Sequence, residues 1–528
     1  MLFEKKMKLL LLFNLVILST CFKKYCSRSD PCWPSESQWK ELGNSLKGSI
    51  HKLEEDNYQQ CLNQGSDPFN ISATGNGICM QYSDCSRQFC KKDNPWNIPA
   101  YSVEALNVED IQKSIAFANK HNLPVTVKTS GHNFAGSSTG KDSLLIWMHN
   151  FESYLKDVDD VKKNYKDTCG TKYPHAVKIG GGQNWDGVYR ALGSKYNIVG
   201  ATCLTVSAAG GWLQGGGLSA LSRKYGIGID NVLSFEVVLA NGVLAYADAC
   251  TNPDLFWALR GGGGGTWGVV TSVHYKVYPA EPVIEFTMSI TNPLSSPRIV
   301  NSWIRKWIAI SPNLDRRWGG SWTIATLGLY FVGAEKDARS TFINSFEQWR
   351  ECLPKSQINR VVYNIKKGEN YFEVRGGEDE IILSNPTTGQ ASSNIANRLV
   401  PRDFVANHPT KAANLLKHIL LNGKVGAPNY ILGDAVTYPA ADATAVHPAM
   451  REAVWQIHTS TDEVIEYVRK VVRNTGVGYN HASHKEPDWR NAFWGSNLNR
   501  LQCLKKQYDP ENRFNCWHCV GYQGEEYE

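Results

Sequence analysis

The sequence predicts an α+β chain. A first domain is built around glycine-rich turns, and a second α+β domain carries an antiparallel sheet covered by helices. Two observations carry this reading. Between Tyr101 and Val270, short apolar strands run again and again into glycine-rich loops, at residues 129–138, 180–183, 200–231 and 261–268. After Pro279 the pattern changes to alternating strands beside separate amphipathic helices, as expected of a sheet with one covered face.

At 528 residues the chain exceeds one ordinary core. Its 56 Lys and Arg are dispersed among 50 Asp and Glu, giving a net charge of +6 with no basic stripe, so nucleic-acid binding is not indicated. Residues 1–21 carry lysines at 5, 6 and 8, then an apolar run over 9–18 broken only by Asn14, then small residues. That is the order of a secretory signal peptide, and the run is short for a membrane span. The expectation is a secreted, extracellular protein with no stable membrane insertion; an uncleaved anchor is the alternative.

Fourteen cysteines fit an oxidising compartment, with Cys26, Cys32, Cys61, Cys79, Cys85 and Cys90 near one end and Cys503, Cys516 and Cys519 near the other. Setting aside Cys21 and Cys203 leaves twelve, an even number that permits full pairing without fixing connectivity. The pair flanking Trp517-His518 lacks a second pair of ligands, so no metal is expected. Asn70-Ile71-Ser72 is a glycosylation sequon.

Residues 22–95 are polar, cysteine-rich and without sustained periodicity, and read as a stapled N-terminal extension. Residues 96–280 form the first domain. A strand at Tyr101 precedes a helix capped by Asn107, with Val108, Ile111, Ile115 and Ala118 at helical spacing. Pro124 closes that helix connection and 125–128 is a strand. A further strand at 175–179 precedes a helix over 185–192, and Asn241-Gly242 turns a hairpin between 235–239 and 243–247. Residues 281–475 form the second domain, with strands at 285–290 and 323–332 and helices over 334–352, 411–421 and 461–474. Residues 476–528 return to the first domain, with a helix over 498–507 stopped by Tyr508-Asp509-Pro510.

The stretch over 200–231 organises the rest. Its eight glycines offer little side-chain area and lose much backbone entropy on ordering. A flexible linker would not embed Trp212, Leu213, Tyr225 and Ile229, which favour burial. A curved run of backbone N–H groups suits a phosphate or the edge of a planar ring, so the stretch reads as a cofactor bed. The loop Thr129-Ser130-Gly131-His132-Asn133, continuing to Gly136 and Ser138, offers hydroxyls and glycines at a strand end, again an anion-binding turn. It is not a P-loop, because Gly136 stands four rather than five positions before Gly140. The glycines at 261–265 precede a strand rather than a helix, which disfavours a Rossmann site.

These motifs, with Asn252-Pro253-Asp254-Leu255-Phe256-Trp257, Glu486-Pro487-Asp488-Trp489 and Tyr508-Asp509-Pro510 in order, resemble the vanillyl-alcohol oxidase superfamily. The likeness is to its berberine-bridge-enzyme-like, oligosaccharide-oxidase-like branch, and runs from about Tyr101 to Gly521. It implies a two-part FAD-binding domain of the PCMH type, roofed by the sheet of the substrate domain. It also implies FAD bonded covalently to both His132 and Cys203. The remaining lining would be Thr129, Ser130, Gly131, Asn133, Gly136 and Ser138 from the first loop, Thr205, Val206, Ser207, Gly210, Gly211 and Gly215 from the bed, and Val270. From the residues alone, Cys203 is equally a buried thiol or a disulfide partner of Cys169 or Cys250.

Such a flavin takes a hydride from a carbon bearing oxygen or nitrogen. In related enzymes a valine three residues after the flavin cysteine admits oxygen to the ring, and Val206 holds that position, implying an oxidase that makes hydrogen peroxide. The expected substrate is an alcohol or carbohydrate, a small molecule or an oligosaccharide, with O2 as acceptor. The alternatives are oxidative tailoring of an amine or alkaloid, or a catalytically idle secreted flavoprotein. Relatives often carry Tyr-x-Asn-Glu before the Glu-Pro-Asp-Trp element; here Gly478-Tyr479-Asn480-His481 moves the tyrosine by one place and exchanges the acid for histidine. Tyr479 as proton acceptor, His481 in that role, Tyr479 as a packed residue, and a site that has left the usual chemistry all remain open. A phenol needs help to act as a base near neutral pH. Asp434 is a further candidate carboxylate.

Overall fold

The computed structural model describes residues 25–53, 99–133, 136–152, 160–322, 326–375, 396–422, 426–459, 462–473, 475–483 and 486–524. The expected signal peptide, the Asn70 sequon and Cys61, Cys79, Cys85 and Cys90 lie outside them.

Two sheets build the first domain. In the first, Tyr101–Glu104 and Val125–Lys128 both run parallel to Leu144–Trp147, because the intervening helix Val108–His121 carries the chain over one face. Asn107 caps that helix by accepting from the amide of Asp110 at 2.9 Å, and Ile111, Ile115 and Ala118 bury its apolar stripe. The stretch read as an unpatterned extension contributes to this layer. Helix Glu36–Ser45 begins with a Ser35/Gln38 capping box and buries Trp39 and Leu42, and Ser49–Lys52 adds an antiparallel edge strand beside Tyr101–Glu104.

The second sheet is antiparallel throughout, in the order Lys162–Lys166, Lys172–Gly180, Val269–Lys276, Val232–Val238, Leu244–Ala247. Helix Trp185–Leu192 and the hairpin at Asn241-Gly242 form where expected, with Gly242 at φ 80°. Cys169 pairs with Cys250, which removes both as partners for Cys203. Cys26–Cys32 and Cys516–Cys519 also pair, whereas Cys352 and Cys503 carry no disulfide, so the twelve cysteines do not all pair.

Seven antiparallel strands make the sheet of the second domain: Val361–Gly368, Val283–Ile290, Thr326–Val332, Trp318–Trp322, Gly426–Tyr430, Ala453–Thr459 and Ala396–Pro401, in spatial order. Alternation assigns the faces. Ile284, Phe286, Met288 and Ile290 pack with Trp303 and Trp307 of helix Pro297–Ile310, whereas Tyr330 and Val332 join the core of the first domain. One face is thus covered by helices and the other lies over the first domain.

The return segment closes the first domain. Lys505, on helix Leu498–Tyr508, is buried and donates to the carbonyls of Thr266 (2.7 Å) and Phe514 (2.9 Å) and to Asp509 (2.8 Å). Asp509 in turn accepts from the amides of Arg513 and Phe514, and Phe514 bridges in parallel to Val125 of the first sheet. Among the described residues no helix is long and apolar enough to cross a membrane.

Candidate functional site

The strand Val125–Lys128 ends in a turn made possible by Gly131 at φ 77°. His132, next in the chain, places Nε2 2.7 Å from the hydroxyl of Thr205, and the same hydroxyl lies 3.6 Å from Sγ of Cys203. The two predicted attachment residues, 71 positions apart, therefore converge on one side chain. The loops are clipped together where the Ser207 amide donates to Ser130 Oγ at 3.1 Å, and the Gly210 amide donates to Ser207 Oγ at 3.1 Å.

Their common face is open. Thr202 and Gly211 are exposed, while His132, Cys203, Thr205 and Trp212 are half-buried. No atom lies within 4 Å of where a Gly211 side chain would start, but at Gly210 it would meet Ser207 Oγ at 2.8 Å and Thr129 Oγ1 at 3.2 Å. The bed is therefore packed from behind and clear in front. Beside it the amides of Gly136 and Ser137 both donate to Asn133 Oδ1, at 2.7 and 3.0 Å. Two successive N–H groups aimed at one oxygen form a small nest, here filled by the Asn133 carboxamide oxygen. Val206 and Val270 are buried, and Ser138 is half-buried.

Burial sets the electrostatics. Lys128 is fully buried, which brings its pKa down to about 7. His132 is pushed down to about 3, first by burial and then by the Lys128 charge. Burial also pushes the Cys203 thiol up, against hydrogen bonds from Thr205 that lower it. Near pH 7 the imidazole is neutral. Sequence reasoning passed over Lys128; a lysine closing the alternating strand Val125-Thr126-Val127-Lys128 just before the loop was the available signal.

The candidate proton acceptors are divided. Tyr479 packs behind the bed. A side chain on Gly263 would lie 2.8 Å from its Cζ, one on Gly215 would lie 2.8 Å from its Cδ1, and its ring meets Phe493 edge-on at 5.2 Å. Its hydroxyl donates to the His518 carbonyl at 3.4 Å, and burial pushes its pKa up to about 12. His481 ends the short 3-10 turn Tyr479–His481, and its side chain lies outside the described residues. The place that the family resemblance gives to a tyrosine is taken by Gly478. A β-carbon there would stand 2.0 Å from Gln456 Nε2, and Asn397 accepts from the Gly478 amide at 2.7 Å while donating to its carbonyl at 2.8 Å. Asp434 forms an ion pair with buried Arg223.

Two polar links hold the site between the domains. Arg451 meets Asp230, at the end of the glycine stretch, through two 2.8 Å bonds. Glu486, 3% exposed, bridges Arg398 (2.5 Å) and Arg469 (3.0 Å), so the Glu-Pro-Asp-Trp element fastens the return segment to the second domain.

An open slot, a nest and two converging nucleophiles fit FAD. The comparisons agree. Residues 99–247 match the family model described as FAD binding domain, and 478–520 match that described as berberine and berberine like. An uncharacterized FAD-linked oxidoreductase of Arthroderma benhamiae is 30% identical over 551 residues, covering 94% of each chain. The VAO-type flavoprotein oxidase VAO615 of Thermothelomyces thermophilus is 30% identical over 543 residues, covering 92% of this chain and 90% of that one. Among solved structures, the VAO-type flavoprotein MtVAO615 from Myceliophthora thermophila C1 superposes with a TM-score of 0.77 at 26% identity, covering 94% of this chain and 97% of that one.

Proposed function

The chain belongs to the FAD-linked oxidoreductases of the vanillyl-alcohol oxidase superfamily, in the berberine-bridge-enzyme-like branch, and from that membership we propose a secreted oxidase carrying FAD bonded to both His132 and Cys203. In this reading it removes a hydride from the hydroxyl-bearing carbon of an alcohol or carbohydrate and passes the electrons to O2, giving hydrogen peroxide. The observation that carries it is the meeting of His132 and Cys203 on the Thr205 hydroxyl in one open slot.

Bound FAD supplies the hydride acceptor. The chain supplies the rest. His132 is neutral and nucleophilic, and a bond through Nδ1 keeps its contact with Thr205. The amides of Gly136 and Ser137 hold a diphosphate oxygen where Asn133 now accepts. The family resemblance gives the ring and ribityl path to Thr129, Ser130, Ser207, Gly210, Gly211 and Gly215, and Val206, which is buried, holds the position of the valine that admits oxygen. With Tyr479 protonated and turned to the His518 carbonyl, His481 is the remaining candidate to accept the substrate proton.

One observation favours a second reading, a catalytically idle flavoprotein: the place that the family resemblance gives to a tyrosine is Gly478, and a side chain there would have to displace the Gln456 amide. Acid denaturation of the wild type, His132→Ala, Cys203→Ala and the double variant tests the attachment. Flavin should stay with either single variant and leave only the double. A peroxide assay over sugars, alcohols and amines then separates the readings, since an idle protein keeps its yellow colour with every one of them.

A further inference from the structure

A cavity of about 440 Å³ opens at the seam between the domains, lined by none of the residues assigned to the flavin. Lys224, which lies after the last flavin-lining glycine on the turn Ser222–Tyr225 of the 200–231 stretch, lines one side. Arg316 and Arg317, just before strand Trp318–Trp322, and Arg402, at the start of helix Arg402–Asn407, line the others with Asp315 and Asp434.

The charges there do not balance. Lys224 pairs with Glu281 at 2.6 Å, and Arg317 pairs with both Asp315 (2.8 Å) and Asp337 (3.0 Å). Asp434 is taken by Arg223, which lies beneath the floor and also donates to the carbonyls of Leu314 (2.9 Å) and Trp318 (2.8 Å). Among the described residues two guanidinium groups meet only neutral oxygens: Arg316 donates to the Tyr438 hydroxyl at 3.2 Å and Arg402 to Asn313 Oδ1 at 2.7 Å. The crowding acts on Lys224, whose pKa is pushed down by burial and by the charges of Arg317 and Arg316, against the opposing pull of Glu281.

We propose that this cavity is an oxyanion site, in which a carboxylate or a phosphate group is held by Arg316 and Arg402 with Lys224 at its side. Guanidinium is suited to this, since its planar fork matches carboxylate and phosphate geometry and sheds water more readily than ammonium. The walls come from both domains, so an occupant ties the second domain to the chain that follows the flavin bed. The anion can be borne by a phosphorylated small molecule or by an acidic sugar; the chemistry at the two arginines is shared.

The test titrates the full-length, flavin-loaded protein by calorimetry with inorganic phosphate and, in a second arm, with an oligouronate, at ionic strength matched with sodium chloride. Saturable binding in either arm is expected, with about tenfold weaker affinity in Arg316→Gln and in Arg402→Gln and none in the double variant. Both side chains are exposed, so flavin content and unfolding temperature without anion should match the wild type. The arm that binds more tightly identifies the source. No saturable heat in either arm, or undiminished binding by the double variant, overturns the proposal.

Discussion

His132 Nε2 and Thr205 Oγ1 stand 2.7 Å apart, across the mouth of the slot, and Cys203 shares that hydroxyl. Thr205 therefore sets the direction of the imidazole. Thr205→Val, which keeps the shape and removes the hydroxyl, should slow appearance of acid-stable flavin by roughly five- to tenfold, about the worth of one neutral hydrogen bond. Thr205→Ser should restore it. Time-resolved quenching in acid, followed by absorbance of the precipitated protein, measures both.

The two attachments should differ in pH dependence. With its pKa near 3, His132 is already neutral throughout the range where an ordinary histidine titrates, so attachment in Cys203→Ala should be flat from about pH 5 to 8. Burial raises the Cys203 thiol, so attachment in His132→Ala should climb with pH as thiolate forms. A fall in the histidine-linked rate as pH drops through about 6.5 would contradict the neutral imidazole.

Tyr479 is a packed phenol. Tyr479→Phe should leave the turnover rate and its pH profile little changed, against the roughly hundredfold or greater loss expected of a general base. The cost should be about 1 kcal/mol of stability, the value of the His518 hydrogen bond. Steady-state rates across pH and a thermal melt decide this.

Glu486 carries charge for two arginines in a buried place. Glu486→Gln leaves Arg398 without a counterion and should cost about 3–5 kcal/mol. Glu486→Leu combined with Arg398→Met should recover much of that loss, because a paired charge and a packed apolar pair can be equivalent. Chemical denaturation of the wild type and the two variants is the measurement.

Gly211 tests the slot itself. With no atom within 4 Å of its missing side chain, Gly211→Val should fold with stability within about 1 kcal/mol of wild type yet hold no flavin. Gly263→Val, which drives a side chain into Tyr479 at φ 94°, should lose the fold as well. Visible absorbance and a melting curve distinguish the two.

Much of this was legible in the sequence where the signal is local. Asn107 caps its helix, the helix over Trp185–Leu192 begins and ends as read, and Asn241-Gly242 turns the hairpin, because each depends on a few adjacent residues. Helix Glu36–Ser45 was missed because only Trp39 and Leu42 bury, although Ser35-x-x-Gln38 spells its cap. Helix 334–352 was read as one α-helix, yet it passes through a π-helical turn at Arg339–Ile343 that periodicity does not register. His132 and Cys203 were found as motif residues, but their meeting on Thr205 is a tertiary fact. The Asp230–Arg451 pair and the wedging of Gly478 against Gln456 likewise join residues that no window along the chain brings together.

The bridge from Val125 to Phe514 has a consequence in time. A ribosome making this chain delivers the loop of His132 and the glycine bed long before residues 505–514 emerge, yet Lys505 and Phe514 are what hold the Thr266 turn and the edge of the first sheet. Until those residues emerge, the first sheet waits with an unpaired edge and part of its core uncovered, the state most open to aggregation and most in need of a chaperone. The second domain, continuous from Val283 to Thr459 in its sheet, can fold while that wait continues. Flavin should therefore be acquired only after residues 505–514 have emerged, and a chain stalled before Lys505 should leave it unbound.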